Sequence, residues 1–521
     1  MELFELVIAL LLGGAVLTAW AERRGVPFPP LLALAGAIAA VVPGTPEIAL
    51  EPGLALALFV APVLLDAAFD TNLRDLRVNW LPVSLLVFGA VGATVAAVAV
   101  VARWAAGWML DGGMGWAPAV VLGAIVAPPD ASAATSVLRR VRPPHRMMVV
   151  LEGESLLNDA SALLIYRVAV GAAAAGSVHW AALPVLLLLT AAGGVALGMA
   201  AALLMLRLSP LLRDHLPVWV MVQFLACFAV WLVADALTLS PIITMVAFAI
   251  FLARRSPANM DGRSRIASYA VWDVAVFVLN ILAFVLVGLQ LKSILGRLDG
   301  ALGTYLLFAG IVLGVVILAR FAVLTVGNPL LVLLEPHARD RQPTVRGSVA
   351  VGWCGMRGIV TLAASLALPA GFPHRDLLVF TAFAVTLGTL VLQGFTLGPL
   401  LRLLRLEDDG SVEREVLVGR RGALEAVHRH LQQAGTQAAM ALAQKYAGRL
   451  DNSDAAGDHG ADEAIALRRA AIAVGRAELA ALRSRGLIGD DAFHLVEEEF
   501  DLDEISADPR LRWGAPAGRT S

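Results

Sequence analysis

Long apolar stretches separated by short polar ones dominate the first 406 residues. Thirteen such segments can be marked: 5–20, 29–43, 53–69, 80–102, 116–140, 147–173, 181–206, 216–235, 240–253, 268–290, 302–326, 347–369 and 376–402. A bilayer core of about 30 Å needs roughly 20 apolar residues per helix, with a range of about 17–25. Most segments meet that length. The second and ninth are short, which predicts tilted or partly interfacial helices. The pattern therefore predicts an all-α polytopic membrane protein of about thirteen transmembrane helices.

Composition agrees. Of 521 residues, 59% are hydrophobic and 16% charged, and the mean hydropathy is +0.77. Soluble domains run at about 45–50% apolar and about 25% charged, so an ordinary soluble enzyme is excluded. Two cysteines, Cys227 and Cys354, exclude a disulfide scaffold and a four-cysteine zinc site. A net charge of −2 gives no reason to expect a nucleic-acid partner. Residues 1–406 hold 26 basic and 21 acidic side chains, whereas residues 407–521 hold 14 and 21. The chain thus divides into a membrane domain, 1–406, and an acidic soluble tail, 407–521. Glu2 and Glu5 stand where a cleavable signal would carry basic residues, so Leu6–Trp20 reads as a first span.

The placement of arginine orients the chain. One set of alternate loops contains 17 basic residues, among them Arg23, Arg24, Arg139, Arg140, Arg254 and Arg255. The opposite set has four: Arg103, Lys292, Arg297 and Arg375. Basic loops stay on the cytoplasmic side. The N-terminus is therefore expected outside and the tail in the cytoplasm of a cell (inner) membrane.

Thirteen spans divide as six, one and six. The fifth span of each half is then segment five and segment twelve, and both are interrupted. The first carries Ala127-Pro128-Pro129-Asp130, and the second carries Gly352-Trp353-Cys354-Gly355-Met356-Arg357-Gly358. Proline removes a helix donor and glycine loosens the backbone. Pro128, Pro129, Gly355 and Gly358 are thus the candidate broken-helix backbone. Broken helices at matching places of inverted halves point to a transporter's ion site. Asp130 has the sign that suits a positive half-helix end, and Arg357 suits a negative one.

Ionisable residues within the spans carry the candidate chemistry. Each costs about 2.5–3.5 kcal/mol at mid-bilayer even on the lenient insertion scale. They are Asp66, Asp130, Glu154, Asp159, Asp273, Arg320 and Arg357. In the run Glu152-Gly153-Glu154-Ser155-Leu156-Leu157-Asn158-Asp159, Ser155 and Asp159 are i and i+4 and share a helix face. Asn158 lies beside them, and Glu154, about a third of a turn away, can face a different partner. Carboxylate, hydroxyl and carbonyl oxygens suit a small hard cation. A carboxylate that holds either a proton or a cation, never both, is the logic of an exchanger. Na⁺ is therefore placed at Asp159. Asp66 is open between ligand and gate. Asp273 and Asn280 read as internal hydrogen-bonding residues, Asp235 as solvated, and His145 as solvated at a span end.

At these residues the chain resembles the cation/proton antiporter superfamily on its sodium/proton exchanger branch. The resemblance rests on Gly153-Glu154-Ser155-Leu156-Leu157-Asn158-Asp159 and on Leu64-Leu65-Asp66-Ala67-Ala68. Further support comes from Gly355-Met356-Arg357-Gly358, Ala319-Arg320, and Val391-Leu392-Gln393-Gly394 with Pro399-Leu400. It implies inverted six-helix repeats with two broken, crossed helices and a homodimer. It also implies Asp159 as the exchanging carboxylate, shaped by Asn158 and Ser155, with Asp66 the matching acid on the third span. By the same resemblance Glu154 and Arg320 form a structural ion pair, and Asp130 and Arg357 balance the half-helix ends, with Asp130 also counted among the candidate cation/proton-binding residues. One departure stands out. The family often has Thr-Asp-Pro at the first break, and here the run is Pro129-Asp130-Ala131, without the preceding hydroxyl.

The expected function is exchange of Na⁺, or K⁺ or Li⁺, for H⁺ across the lipid bilayer, electroneutral and without a cofactor. The alternative is a cation channel with a cytoplasmic sensory tail, although no filter-like Gly-Tyr-Gly run is present. In the tail, 413–446 has helical composition, 450–461 reads as a linker, and 463–485 and 490–499 read as a second helical pair with Asp490 as N-cap. A regulatory or dimer-contacting role and a merely solubilising one are both open for it.

Overall fold

The computed structural model describes residues 2–434 apart from short gaps, the longest being 176–182 and 335–343, and scattered positions between 436 and 502. Among the described residues the chain is helical, with no strand. It separates into two compact units, Met1–Glu407 and Asp408–Ser521.

The first unit opens with α1 (Glu2–Arg24) and α2 (Phe28–Val41). A third helical stretch follows as α3 (Pro52–Ala55), a π-turn over Leu56–Val60, and α4 (Ala61–Asp70). The π-turn has a local cause: Pro62 has no N–H to offer the preceding turn. Short α5 (Leu73–Val78) leads into α6 (Trp80–Ser84), a second π-turn over Leu85–Ala90, and α7 (Val91–Met109). The first predicted break falls between α8 (Trp116–Val126) and α9 (Ala131–Val141). The long helices α10 (His145–Ala175), α11 (Leu183–Leu212), α12 (Leu216–Ala236), α13 (Pro241–Asn259), α14 (Gly262–Leu295) and α15 (Leu302–Leu334) come next. The second break separates α16 (Val345–Trp353) from α17 (Ile359–Leu366), and α18 (Arg375–Leu404) closes the unit.

Every one of the thirteen apolar segments carries helix. Nine stretches among the described residues are long and apolar enough to cross a membrane, and α2 and α8 are shorter apolar helices. The half-helices on either side of each break fall below that length individually. Exposed apolar residues such as Leu12, Val16, Leu188 and Leu318 cover the outer surface, where a soluble protein would place polar groups.

Inside, small residues bring backbones into direct contact. A Cβ at Gly36 on α2 would run into the Val285 carbonyl of α14, and one at Gly288 on α14 would run into the Ala33 carbonyl of α2. Lipid-embedded helices associate by this close packing, because their apolar side chains gain little by leaving lipid for one another. α2 and α14 thereby form a fixed pair, and α18 packs against both.

In the second unit, α19 (Ser411–Ala434) is the one helix with defined bounds. Its His428 Nδ1 lies 3.1 Å from the Ala443 carbonyl oxygen. The expected linker at 450–461 and the N-cap at Asp490 lie outside the described residues.

Candidate ion site at the crossing of two broken helices

The last carbonyls of a helix have no partner within it. At the end of α8 those carbonyls find Arg357. Its Nε donates to Val126 O at 2.8 Å and its Nη2 to Ala127 O at 3.2 Å. Its Nη1 donates to Gly355 O, and its backbone N–H donates to Thr389 Oγ1 on α18 at 3.0 Å. Arg357 is 1% exposed, so its charge is spent inside the protein. A cation at the negative end of a helix is the favourable arrangement.

The opposite ends are served by Asp130. Its Oδ1 accepts from the Ser132 N–H at 2.9 Å and from Ser132 Oγ at 2.6 Å, which caps α9. Its own N–H donates to Met356 O at 2.6 Å and ties the first break to the second. The carboxylate also lies against Gly358, the residue before α17, where a Cβ would collide with it. One carboxylate thus faces the N-termini of both α9 and α17. Pro129 supplies a carbonyl, which accepts from Asn158 Nδ2 at 2.7 Å. That bond fastens α10 to the first break. Pro128 precedes it in the same unwound segment.

On α10, Asn158 is fully buried, and its Oδ1 has no hydrogen-bond partner among the described residues. Asp159 is half-buried, and among the described residues no group hydrogen-bonds its carboxylate. It lies near enough to Asp130 for the two charges to repel. Ser155 is half-buried one turn earlier on the same face. Glu154 turns away to Arg320 of α15, with bonds of 2.5 and 2.7 Å between the two oxygens and Nη1 and Nη2. Arg320 Nε also donates to Val351 O in the last turn of α16 at 3.2 Å. Both members of the pair are at most 3% exposed. Both half-helix C-ends, α8 and α16, therefore have an arginine on their carbonyls. Asp66 is half-buried on α4, one of the helices packed on α10.

Three polar residues of this region escape a reading by sequence alone. Ser132 holds Asp130, and a serine two places after an aspartate at a helix start is the one signal that marked it. Thr389 holds the Arg357 backbone. The single Ser161 hydroxyl donor lies within hydrogen-bonding reach of two carbonyls, Val87 O within the second π-turn at 3.0 Å and Asn158 O at 2.8 Å. Nothing local in the sequence marks Thr389 or Ser161. Away from the crossing, three expectations meet the structure. Asp273 is exposed on α14 rather than internal, while Asn280 is half-buried. His145 pairs with Asp75 at 3.1 Å instead of being merely solvated. Asp235 is exposed, 3.6 Å from Arg167.

Comparison with known proteins bears on the whole membrane unit. A family model described as "Sodium/hydrogen exchanger, transmembrane" matches residues 7–403. An uncharacterized Na⁺/H⁺ exchanger of Mycobacterium tuberculosis is 30% identical, with 96% of each chain covered. A sodium, potassium, lithium and rubidium/H⁺ antiporter of Bacillus subtilis is 30% identical over 75% of this chain and 60% of its own length. Among solved structures, the sodium proton antiporter MjNhaP1 from Methanocaldococcus jannaschii superposes with a TM-score of 0.59 at 20% identity. That alignment covers 78% of this chain and all of the other.

Proposed function

This chain belongs to the sodium/hydrogen exchanger family and is a multi-pass membrane Na⁺/H⁺ antiporter, and from that premise we propose that Asp159 is the carboxylate that alternately carries Na⁺ and H⁺. The observation that carries this assignment is the contrast among the acids at the crossing. Glu154 is held by Arg320, and Asp130 by Ser132. Asp159 is half-buried beside the break and hydrogen-bonded by no described residue. It is the acid left over for an ion.

In this reading Ser155 and the Oδ1 of Asn158 line the cation's place with neutral oxygens, as a small hard cation prefers. Asp66 is the neighbouring acid on α4. Asp130 and Arg357 neutralise the ends of the crossed half-helices and keep the unwound backbone at mid-membrane, where uncompensated peptide groups would be costly. Glu154 and Arg320 hold α10 to α15 and α16. Pro128, Pro129, Gly355 and Gly358 provide the unwound backbone. The paired breaks support thirteen crossings arranged as two inverted six-helix repeats. The distribution of arginine supports an external N-terminus and a cytoplasmic tail in the inner membrane. The homodimer follows the family resemblance. K⁺ and Li⁺ are proposed as further substrates on the breadth printed in the name of the Bacillus subtilis relative.

Everted vesicles carrying the protein, given Na⁺, Li⁺ and K⁺ in turn under an imposed proton gradient, should show saturable cation-dependent proton efflux. Asp159→Asn should abolish it while leaving the protein in the membrane at wild-type yield. Robust exchange by a well-expressed Asp159→Asn protein removes Asp159 from this role.

A further inference from the structure

The run Val391-Leu392-Gln393-Gly394 has no part in the site described above, yet among the described residues its glutamine is the one amide side chain with both polar atoms buried and unpartnered. Gln393 is 0% exposed on α18. Neither its Nε2 nor its Oε1 has a hydrogen-bond partner among the described residues. A primary amide offers two donors and an acceptor with two lone pairs. Leaving all of them bare in the interior is unfavourable, and buried groups of this kind are ordinarily served by a partner or by ordered water.

The neighbours of Gln393 on α18 show what it faces. One turn before it, Thr389 Oγ1 accepts from the Arg357 backbone N–H at 3.0 Å. One turn after it, Thr396 Oγ1 accepts from Trp353 Nε1 at 2.8 Å. A Cβ at the adjacent Gly394 would lie 3.5 Å from Met356 Sδ. Positions i−4 and i+3 lie on the same helix face as i. Gln393 therefore faces the unwound stretch between Trp353 and Arg357. Part of that stretch is already bonded. The Cys354 N–H reaches Ala350 O, Met356 O takes the Asp130 N–H, and Gly355 O takes Arg357. The N–H groups of Gly355 and Met356 have no acceptor among the described residues. An orphaned amide thus looks onto orphaned peptide donors.

Resting on the assignment of the ion site above, we infer that Gln393 is a positioning residue for exchange: its carboxamide holds buried water against the unwound backbone at Gly355 and Met356. Through that bridge it fixes the height of Met356 and Arg357, which in turn grip Asp130 and the end of α8. A small polar ligand fits because the amide and the peptide N–H groups do not bond each other directly, and water can accept from the donors on both sides and donate to Oε1. Without the bridge the second break can shift relative to the first, and the oxygens around Asp159 lose their spacing.

The test uses the full chain in proteoliposomes, with Gln393→Met and Gln393→Asn beside the wild type. Methionine keeps the volume and removes the amide, and asparagine keeps an amide on a shorter stem. Two quantities are read: the apparent KM for Na⁺ against the maximal rate, and amide hydrogen exchange of peptides spanning 354–358. Gln393→Met should raise the KM for Na⁺ about tenfold, the size of one lost buried hydrogen bond, with a smaller change in maximal rate. Its amide exchange at 354–358 should quicken about tenfold by the same loss, while peptides of α1 stay unchanged. Gln393→Asn should recover part of both. A Gln393→Met protein with wild-type KM and wild-type exchange at 354–358 overturns the inference. Should the Met variant fail to fold, the Asn variant decides by the same two readings, and failure of both to fold also overturns it, since the amide would then be structural alone. The exchange reading needs no transport, so it stands or falls separately from the role of Asp159.

Discussion

Glu154 and Arg320 illustrate how a costly pair can serve as an anchor. Two bonds of 2.5 and 2.7 Å join side chains that are at most 3% exposed. Burying both charges gains little net stability, but removing one partner strands the other, at about 3–5 kcal/mol. Arg320 would lose its counter-ion while still bonded to Val351 O at the end of α16. Glu154→Gln or Arg320→Gln should therefore lower the melting temperature and yield of the detergent-solubilised protein far more than it changes apparent Na⁺ affinity. Thermal unfolding and exchange kinetics measured on the same preparations check this. A stable Glu154→Gln protein with altered cation selectivity would move Glu154 into the ion site. The residue types here were legible from the sequence, because an acid and an arginine inside apolar spans demand each other. The hydroxyls that complete the network were not. Thr389 and Ser161 act through tertiary contacts, and a lone serine or threonine in an apolar helix has no local signature of its partner; Ser132 bonds its near neighbour Asp130, and only that two-residue spacing marks it.

At the scale of elements, the two breaks were readable to within a few residues from Pro128, Pro129, Gly355 and Gly358. Proline and glycine act locally, so local sequence suffices to place them. What could not be read is which backbones touch. Gly36 and Gly288 are ordinary helix glycines in sequence and become a contact only when α2 meets α14. Gly358 is of the same kind. Its backbone angles, φ −127° and ψ −154°, suit any residue. Glycine is needed there because the Asp130 carboxylate occupies the place of a Cβ. Gly358→Ala should push the two half-helix pairs apart, with an overpacking cost of about 1–3 kcal/mol. Exchange should drop by at least about tenfold, the rate equivalent of the lower part of that range. Gly310→Ala is the matched control. It sits on α15 with nothing within 4 Å of its would-be Cβ, so it should be neutral or slightly stabilising. Melting temperature and proton flux of the two variants make the comparison.

For the molecule as a whole, the orientation and the charge moved per cycle are the properties open to direct measurement. The excess of 17 basic residues over four in alternate loops predicts that single cysteines at positions 254–265, where α13 ends and α14 begins, react with an impermeant maleimide only after permeabilisation. Labelling in intact cells would reverse the topology. Stoichiometry follows from the composition of the crossing. Asn158 stands beside Asp159, and an amide cannot titrate. Its Nδ2 is committed to Pro129 O and fastens α10 to the break rather than carrying a proton. One carboxylate then crosses with either one proton or one monovalent cation, and both half-cycles move the same charge. Asp130 is the acid that could break this equality, since it lies near Asp159. Its carboxylate is bonded by Ser132 at the start of α9 and lies against Gly358 before α17, so it is expected to stay a fixed countercharge to the helix ends. Exchange should therefore be electroneutral. Proteoliposomes clamped with valinomycin and K⁺ at several membrane potentials should show the same Na⁺/H⁺ exchange rate and the same reversal point at each. A reversal point that follows the voltage would mean that a second proton moves in each cycle. Repeating the clamp with Asp130→Asn would then identify its carrier: the voltage dependence should vanish if Asp130 is that second site.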